Sequence, residues 1–324
     1  MFSSLVEKWP LNRRARFEKL YREAPYIDLH RLGEFRSEAF PRMEPANWLD
    51  GPDAEETIRR RLAAGEIDAA EAEACRFWRE NGYFIVPKLI EDAELDGVFA
   101  AYERALSSGR LGEPVYVDPD RKLVDRKLDA HLHVPELRAL QLSPAFRKWT
   151  DLFLGRKTVP FQTIIGHAGS QQGAHSDSIH MTTYPLGFMV ASWTAFEDIR
   201  EDSGPLDYYP GSHSLPYLFS ADVGIGAGEF KRQGYRLYHE RYEPAVLRQC
   251  QDAGLERKIF LANKGDTLFW HANLVHGGTP RADPNRSRKA LVCHAFAEGV
   301  VTYHDLSGNL SRLHAKGPYR PLTI

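Results

Sequence analysis

Apolar positions follow helical spacing in the first third of the chain. Between residues 54 and 79 alanine, glutamate and arginine dominate, and apolar residues at helical intervals predict two helices that break near Gly65. A further helix is expected to have Asp92 as its cap and to end at Gly109, because Leu95, Val98 and later apolar residues recur three or four positions apart. We expect these helices to pack on a sheet.

The pattern changes from residue 159 onward, where short apolar runs are bounded by glycine, proline and aspartate. The predicted strands cover residues 161–165, 187–196, 206–209, 259–262, 267–270 and 288–296. Many short strands separated by turn signals are typical of a β-sandwich or a jelly roll. With no internal repeat and no linker, the sequence predicts one mainly β domain with flanking helices over residues 76–324, preceded by a helical N-terminal extension over residues 1–75.

Residues 216–255 are harder to interpret from the pattern. Tyrosine and phenylalanine alternate there with lysine, arginine and histidine, after a run containing Gly224, Gly226 and Gly228. The glycines suggest a phosphate site only weakly, since no strand-to-helix dinucleotide unit surrounds them. The segment is either a lid over a polar or anionic substrate or a solvated insertion with a short helix. We favour the insertion slightly for any single residue and the lid for the segment as a whole, because long loops in compact domains commonly carry function.

Composition narrows the class of protein. The 324 residues are 43% hydrophobic and 27% charged, which is ordinary for a globular chain. A formal charge of −2 argues against a nucleic-acid partner, and no apolar stretch is long enough to span a bilayer. The basic N-terminus is a poor secretory signal, and three widely spaced cysteines suggest reduced thiols. We therefore expect a cytoplasmic protein that binds a small molecule rather than a membrane or nucleic acid.

The candidate chemistry lies in three places in the second half of the chain. His175 and Asp177 stand two residues apart, so on an extended segment both side chains leave the same face and can bind one ion. His276 is expected to reach them from a strand folded back across the sheet. Two imidazoles and one carboxylate form the facial triad of non-haem Fe(II) oxygenases. We predict that His175, Asp177 and His276 are metal ligands and catalytic residues.

The order of these residues matters more than the His-x-Asp pair. With 13 His and 44 acidic residues, chance supplies roughly two such pairs. Here a second histidine is followed by two glycines, and Arg288 comes twelve positions after His276. A guanidinium is a fixed fork of donors that suits a carboxylate, so Arg288 is the predicted anchor for a dicarboxylate co-substrate. On the last predicted strand Arg288, Ala290, Val292 and His294 share one face, so if Arg288 points into the barrel, His294 points inward too.

Several motifs in this order resemble the phytanoyl-CoA dioxygenase-like family of Fe(II)/2-oxoglutarate oxygenases. They are residues 81–87 (NGYFIVP), 173–177 (GAHSD), 202–206 (DSGPL), 210–213 (PGSH), 264–266 (KGD), 270–278 (WHANLVHGG) and 285–288 (NRSR). The resemblance covers residues 77–300 and implies a double-stranded β-helix, the cupin-like jelly roll. It also implies Fe(II), O2 and 2-oxoglutarate as cofactors and co-substrates.

The resemblance assigns roles to individual positions. His175, Asp177 and His276 match the iron ligands, and Arg288 matches the arginine that binds the 5-carboxylate of 2-oxoglutarate. Gln162 and Trp193 match positions that line the co-substrate pocket. Many family members have Gly-Ser after the distal histidine, whereas this chain has two glycines, so the expected hydroxyl donor is Thr279 or is missing.

The implied reaction is hydroxylation of an unactivated C–H bond of a small, polar metabolite, with succinate and CO2 as co-products. Halogenating relatives replace the carboxylate ligand with a small residue, so Asp177 argues for hydroxylation over halogenation. The same ligands also suit epimerisation, desaturation or cyclisation. A non-catalytic metal-binding jelly roll is the alternative from another class, since fold alone does not determine activity.

Three further histidines are candidates for the same region. His271 is separated from His276 by an odd number of residues, so on one strand the two would face opposite sides and His271 would be structural. His213 lies in a Pro-Gly-Ser-His turn and is a possible extra ligand. His180, three residues after Asp177, is either a substrate contact or a solvent-facing loop residue.

Overall fold

The computed structural model describes residues 36–37, 47–113, 116–118 and 123–310. Its helices are α1 (Ala54–Ala63), α2 (Ala69–Asn81), α3 (Asp92–Ser107), α4 (Pro135–Gln141), α5 (Pro144–Leu154), α6 (Ala227–Gln233), α7 (Tyr235–Leu237) and α8 (Glu243–Asp252), with a π-helical turn at Tyr238–Tyr242. Its strands are β1 (Tyr83–Val86), β2 (Tyr116–Asp118), β3 (Leu123–Val124), β4 (Lys127–Leu128), β5 (Thr158–Gly166), β6 (Thr182–Tyr184), β7 (Met189–Ala195), β8 (Leu206–Tyr208), β9 (Lys258–Phe260), β10 (Thr267–His271), β11 (His276–Gly278), β12 (Ala290–Ala297), β13 (Val301–His304) and β14 (Asn309–Leu310).

The two predicted helices before residue 81 are confirmed, and their ends have local causes. Asp68 and Glu71 form a reciprocal capping box at the start of α2, and Gly82 ends the helix in the left-handed conformation at φ 76°. The cap predicted for α3 is wrong by one residue. Glu91 occupies the cap position without a side-chain cap bond, and the Asp92 carboxylate instead accepts a 2.8 Å hydrogen bond from Lys88.

A six-stranded antiparallel sheet forms the centre of the molecule. Its strand order is β1-β10-β7-β12-β5-β4. One face packs against α2 and α5, where the rings of Trp78 and Phe153 stack at 4.1 Å and Phe269 of β10 completes the contact. The opposite face carries Trp193, Val292 and other side chains that line a cavity. The sheet therefore separates an aromatic core from the candidate site.

Smaller sheets complete the β architecture. The order β11-β8-β9 forms one three-stranded sheet, β14-β13-β6 forms another, and β2 pairs with β3. All described strand pairs are antiparallel, and helices lie beside them. The prediction of a β architecture with flanking helices is confirmed at this level. The last predicted strand begins at Ala290, two residues later than expected, so Arg288 precedes it.

The predicted division at residue 75 falls inside a regular element, because α2 spans Ala69–Asn81. Leu49 and Ile58, from the proposed extension, are buried in the same apolar cluster as Leu268 and Phe296 of the central sheet. The domain boundary thus stays a prediction.

Residues 216–255 fold into their own layer. Helices α6 to α8 follow one another, and Ile225, Tyr238, Tyr242 and Val246 are buried in a second apolar cluster that also contains Ile179. The segment therefore packs onto the β core beside Ile179, two residues after Asp177. Two further predictions can be compared with the structure. Cys75, Cys250 and Cys293 are buried free thiols. No helix in the described ranges is long and apolar enough to cross a bilayer.

Candidate functional site

The structure brings His175, Asp177 and His276 together. One potential ligand atom from each lies within 4.8 Å of the others, and all three side chains are buried. His175 and His276 form an isolated antiparallel bridge in which each backbone N–H donates to the other's carbonyl at 2.9 Å. The two histidines are thus direct backbone neighbours, rather than reaching one another across the sheet as expected.

Asp177 reaches the site from a turn. Ser176 is extended, but Asp177 begins the 3-10 turn Asp177–Ile179, so the extended geometry predicted for this segment ends one residue early. The carboxylate lies 3.8 Å from the Nε2 atoms of both His175 and His276. Separations of this size leave room for a cation between the three groups.

Hydrogen bonds select which nitrogen of each histidine faces this centre. Nδ1 of His175 lies 2.8 Å from the Gly173 carbonyl, and Nδ1 of His276 lies 3.0 Å from the Leu274 carbonyl. A carbonyl only accepts, so Nδ1 of each ring must carry a proton, and in the neutral imidazole the lone pair is then on Nε2, which faces Asp177. This is the tautomer that a metal-binding imidazole requires.

The electrostatics also favour the ligand forms. Burial, with the nearby His276, lowers the pKa of His175 to about 4, so this imidazole is neutral at neutral pH. Burial by itself would raise the pKa of Asp177, but His276, His294 and His175 outweigh it and lower that pKa. The site therefore combines a neutral His175 imidazole with an ionised Asp177 carboxylate, and together with the ring of His276 these are donor types that suit Fe(II).

Trp270 and His294 hold the carboxylate in place. The indole N–H of Trp270 donates to Asp177 Oδ2 at 2.8 Å, and His294 Nε2 lies 3.6 Å from the same oxygen. The prediction that His294 faces inward with Val292 and Arg288 is confirmed, since all three line the cavity. No role was predicted for Trp270, because a tryptophan on an apolar strand gives no sign of where its N–H points.

The cavity that contains the triad has a volume of about 700 Å³. Cross-strand register places Trp193 of β7 beside Val292 of β12, and Val292 beside Ile164 of β5. All three line the cavity, together with Gln162 of β5. Leu206 and His276 line it from the smaller sheet, so both sheets contribute to its wall.

Arg288 is a buried cation at this cavity. It is 6% exposed, and burial lowers the pKa of its guanidinium to about 10, which leaves it charged at neutral pH. Its NH1 donates to the Gly204 carbonyl at 2.9 Å, while Nε has no partner and no described acidic side chain pairs with it. Its Cζ lies 5.6 Å from the Trp193 ring centre, and Trp193 Nε1 is also unpartnered. Two buried donors thus await an acceptor in one cavity.

Thr279 lies apart from this arrangement. Its hydroxyl donates to the Pro205 carbonyl at 3.1 Å, and the side chain is not part of the cavity wall. A different hydroxyl, that of Ser170, packs against the glycine pair, because a Cβ placed on Gly278 would lie 2.6 Å from Ser170 Oγ. Ser170 lines the cavity. Sequence reasoning missed it because it is more than a hundred residues from Gly278.

The remaining histidines divide as follows. His271 ends β10, is 1% exposed and lies 3.2 Å from Asp50 Oδ2, so it is structural, as expected. The reason differs from the predicted one, since His276 lies on a separate strand. His213 packs beside His271 and is absent from the cavity wall, whereas His180 is part of that wall.

Comparisons with known proteins agree with this geometry. The family model for phytanoyl-CoA dioxygenase (PhyH) matches residues 78–290. The peroxisomal phytanoyl-CoA dioxygenase of Bos taurus is 26% identical over 261 residues, which cover 75% of this chain and 73% of the relative. The Homo sapiens protein of the same name is 25% identical over 256 residues, covering 72% and 70%.

Solved structures share the fold at lower identity. EctD from S. alaskensis, solved with 2-oxoglutarate and 5-hydroxyectoine, matches with a TM-score of 0.60 and 15% identity, covering 88% of this chain and 92% of that one. The carbocyclase SnoK from nogalamycin biosynthesis matches with a TM-score of 0.57 and 20% identity, covering 80% and 94%. The epimerase SnoN, solved with Fe3+, alpha ketoglutarate and nogalamycin RO, matches with a TM-score of 0.56 and 21% identity, covering 79% and 96%.

Proposed function

Because the chain belongs to the phytanoyl-CoA dioxygenase family, and is therefore an oxidoreductase of the Fe(II)/2-oxoglutarate type, we propose that it hydroxylates an unactivated C–H bond of a small, polar metabolite. Succinate and CO2 are the co-products. One observation carries the proposal: the buried triad of His175, Asp177 and His276 shares a cavity with the buried cation Arg288, which pairs with no acidic side chain among the described residues. We also propose that the two facing sheets form a double-stranded β-helix.

The donor set fits the metal. Two Nε2 lone pairs and one ionised carboxylate would hold Fe(II) on one side and leave the cavity side open to ligands. When bound, the iron supplies oxygen activation coupled to decarboxylation of 2-oxoglutarate. The chain's own part is to hold these ligands in their deprotonated forms and to fix their direction through Gly173, Leu274 and Trp270.

The unpartnered donors fit the co-substrate. A carboxylate placed between Arg288 Nε and Trp193 Nε1 would satisfy two buried N–H groups that otherwise lack acceptors. Gln162 and Ser170 line the same cavity and would provide further polar contacts. Arg288 would therefore bind and orient 2-oxoglutarate by its distal carboxylate, while the cavity walls exclude bulk water from the reacting end.

The test is anaerobic reconstitution of the purified protein with Fe(II) and 2-oxoglutarate, followed by oxygen and a panel of small metabolites. We expect substrate-stimulated succinate release that His175→Ala or His276→Ala abolishes. Arg288→Ala should raise the KM for 2-oxoglutarate by about a hundredfold, because a buried charge-assisted contact is lost. Arg286→Ala is the matched control, since this exposed arginine pairs with Asp202 and does not line the cavity.

Wild-type iron binding and turnover in the His276 variant would reject the proposal. Absence of turnover with every substrate, despite iron binding, would favour the non-catalytic metal-binding module. Product mass separates the remaining outcomes, because hydroxylation adds one oxygen, whereas epimerisation adds none and desaturation or cyclisation removes two hydrogens. Product mass has to be measured because SnoK and SnoN, which share the fold, are a carbocyclase and an epimerase rather than hydroxylases by name.

A further inference from the structure

The cavity continues beyond the triad into a region walled by rings. We call this region the lid pocket and define it by His180, Tyr235, Tyr238, Glu243 and His304, all of which line the cavity. The His180 and His304 rings stack with centroids 5.6 Å apart, and the Tyr238 ring lies 4.9 Å from that of His180. The His180 ring is in turn 6.3 Å from that of His175, so the lid pocket begins beside the triad.

The backbone of residues 216–255, which we call the lid segment, explains why Tyr238 and Glu243 both face the cavity. A π-helical turn covers Tyr238–Tyr242 and leads directly into α8 at Glu243. Hydrogen bonds in a π-helix join residues five apart, so this turn aligns positions 238 and 243 on one side. Such turns are rare in proteins, but those that do occur are often found at functional sites. This turn therefore shapes the part of the cavity wall that Tyr238 and Glu243 form.

Both side chains carry a polar atom that lacks a partner. Tyr238 is 1% exposed, and its hydroxyl has no hydrogen-bond partner although the Gln172 side chain lies beside it. Glu243 Oε2 lies 3.1 Å from His239 Nδ1, but its Oε1 is buried and unpartnered. Leaving such atoms unpaired costs about 1–3 kcal/mol each, so a ligand that satisfies them gains affinity.

Glu243 also lies against residues 173–177, the segment that carries His175 and Asp177. A Cβ placed on Gly173 would be 2.7 Å from Glu243 Oε2, so the carboxylate packs directly against the backbone of this glycine. Gly173 is the residue whose carbonyl accepts from the His175 ring. A group bound to Glu243 would therefore lie close to the segment that carries His175 and Asp177.

From these contacts, and resting on the proposed function, we propose that Tyr238 and Glu243 form the substrate subsite. It binds a hydroxyl or ammonium group of the substrate, and the adjoining ring or aliphatic surface packs on Tyr235, His180 and His304. A carboxylate accepts hydrogen bonds and repels anions, so the substrate must donate here and cannot present a phosphate or carboxylate at this point. Aromatic faces favour the flat or cationic groups that such a donor carries.

Binding of matched probes to the full-length, metal-free protein tests this assignment. The probes are benzylammonium, benzyl alcohol and benzyl methyl ether, with affinities measured by saturation-transfer NMR titration. We expect the first two to bind at least tenfold more tightly than the ether, which lacks a donor. Comparing the amine with the alcohol identifies which donor the subsite prefers.

Two substitutions locate the binding. Tyr238→Phe removes only the unpartnered hydroxyl and should weaken the preferred probe about three- to tenfold. Glu243→Gln should weaken benzylammonium about tenfold or more, because the charge is lost, and benzyl alcohol less. Tyr102→Phe is the matched control. Its hydroxyl is also buried and unpartnered, but Tyr102 packs on Phe99 and His167 and does not line the cavity.

Wild-type probe affinity in both Tyr238→Phe and Glu243→Gln, or equal binding of benzyl methyl ether and benzylammonium, would overturn the subsite. These experiments need neither iron nor turnover. If binding depends on a donor and both variants weaken it, but succinate release does not depend on iron, the subsite stands and the oxygenase proposal fails. If His276→Ala abolishes succinate release but probe binding is unaltered in both variants, the oxygenase proposal stands and the subsite fails.

Discussion

At the scale of single residues, the candidate iron site depends on groups that do not touch the metal themselves. The carbonyls of Gly173 and Leu274 fix the histidine tautomers, and the Trp270 indole fixes one carboxylate oxygen of Asp177. Partners of this kind tune affinity by orienting ligands that are already present. Their contribution can be measured without removing any ligand.

Trp270→Phe is the cleanest substitution for that purpose. It keeps an aromatic ring in the wall but removes the N–H that donates to Asp177 Oδ2 at 2.8 Å. We expect the affinity for Fe(II) to fall about tenfold, measured by anaerobic titration. Trp48→Phe is the control, because the Trp48 indole donates to the Leu152 carbonyl, away from the site. Equal iron affinities in the two variants would show that the Trp270 bond does not orient the ligand.

At the scale of elements, the junction between α2 and β1 positions one edge of the central sheet. Gly82 ends α2 at φ 76° and leads directly into β1, which pairs with β10. The ring of His213 packs against this glycine, since a Cβ there would lie 2.4 Å from His213 Nδ1. The residue is thus constrained both by its backbone angle and by its neighbour.

This double constraint predicts a difference between two glycines. Gly65 has φ 69° but open space around it, so Gly65→Ala should cost only the left-handed strain, about 1 kcal/mol. Gly82→Ala adds a steric clash and should cost about 3 kcal/mol or more. Urea unfolding of the two variants gives the comparison. Similar losses in both would mean that His213 moves aside without cost.

The packing of the π-helical turn before α8 shows a second effect at this scale. Tyr242, buried in the second apolar cluster, places its hydroxyl 3.3 Å from Ser176 Oγ, and Ser176 lies between the candidate ligands His175 and Asp177. The lid segment and residues 173–177 are therefore joined directly. The lid interpretation of residues 216–255 gains support from this contact and from the cavity-lining residues Tyr235 and His239.

At the scale of the whole molecule, buried histidines couple folding to pH. Burial lowers the pKa of several of them, among them His131, His167, His213 and His304. These imidazoles are neutral in the folded chain but protonate near their ordinary pKa once unfolded. The unfolded state then binds more protons as the pH falls, so acid destabilises the fold.

His213 gives the sharpest test, because it lies outside the cavity wall. Burial, with nearby His271, lowers its pKa from 6.5 to about 4, so its contribution to stability is complete above pH 6.5 and is lost as the pH falls to about 4. The loss is up to about 3 kcal/mol. We expect His213→Asn to reduce the dependence of the unfolding free energy on pH over this interval, measured by urea titration of the metal-free protein. An unchanged slope would assign the acid sensitivity to the other histidines.

Local patterns were sufficient for much of the fold and for the motifs of the site. Helical periodicity found α1, α2 and α3, because each buries one face along its own length. The order of His175, Asp177, His276 and Arg288 was visible because each residue lies in or near a short motif with its own turn residues. Even so, the exact cap of α3 was missed, since Lys88 binds the carboxylate expected to cap it.

The sequence by itself determined the mainly β class with flanking helices, the family resemblance and the candidate ligands, because residue type and short-range spacing encode them. Only the tertiary structure decided which distant side chains meet: Trp270 with Asp177, Ser170 with the glycine pair, and Tyr238 and Glu243 with the space beside His175. It also gave the Thr279 hydroxyl to Pro205 instead of the cavity. Such contacts depend on strand register and on how the lid packs, and both are set by the free energy of the whole core rather than by any local pattern.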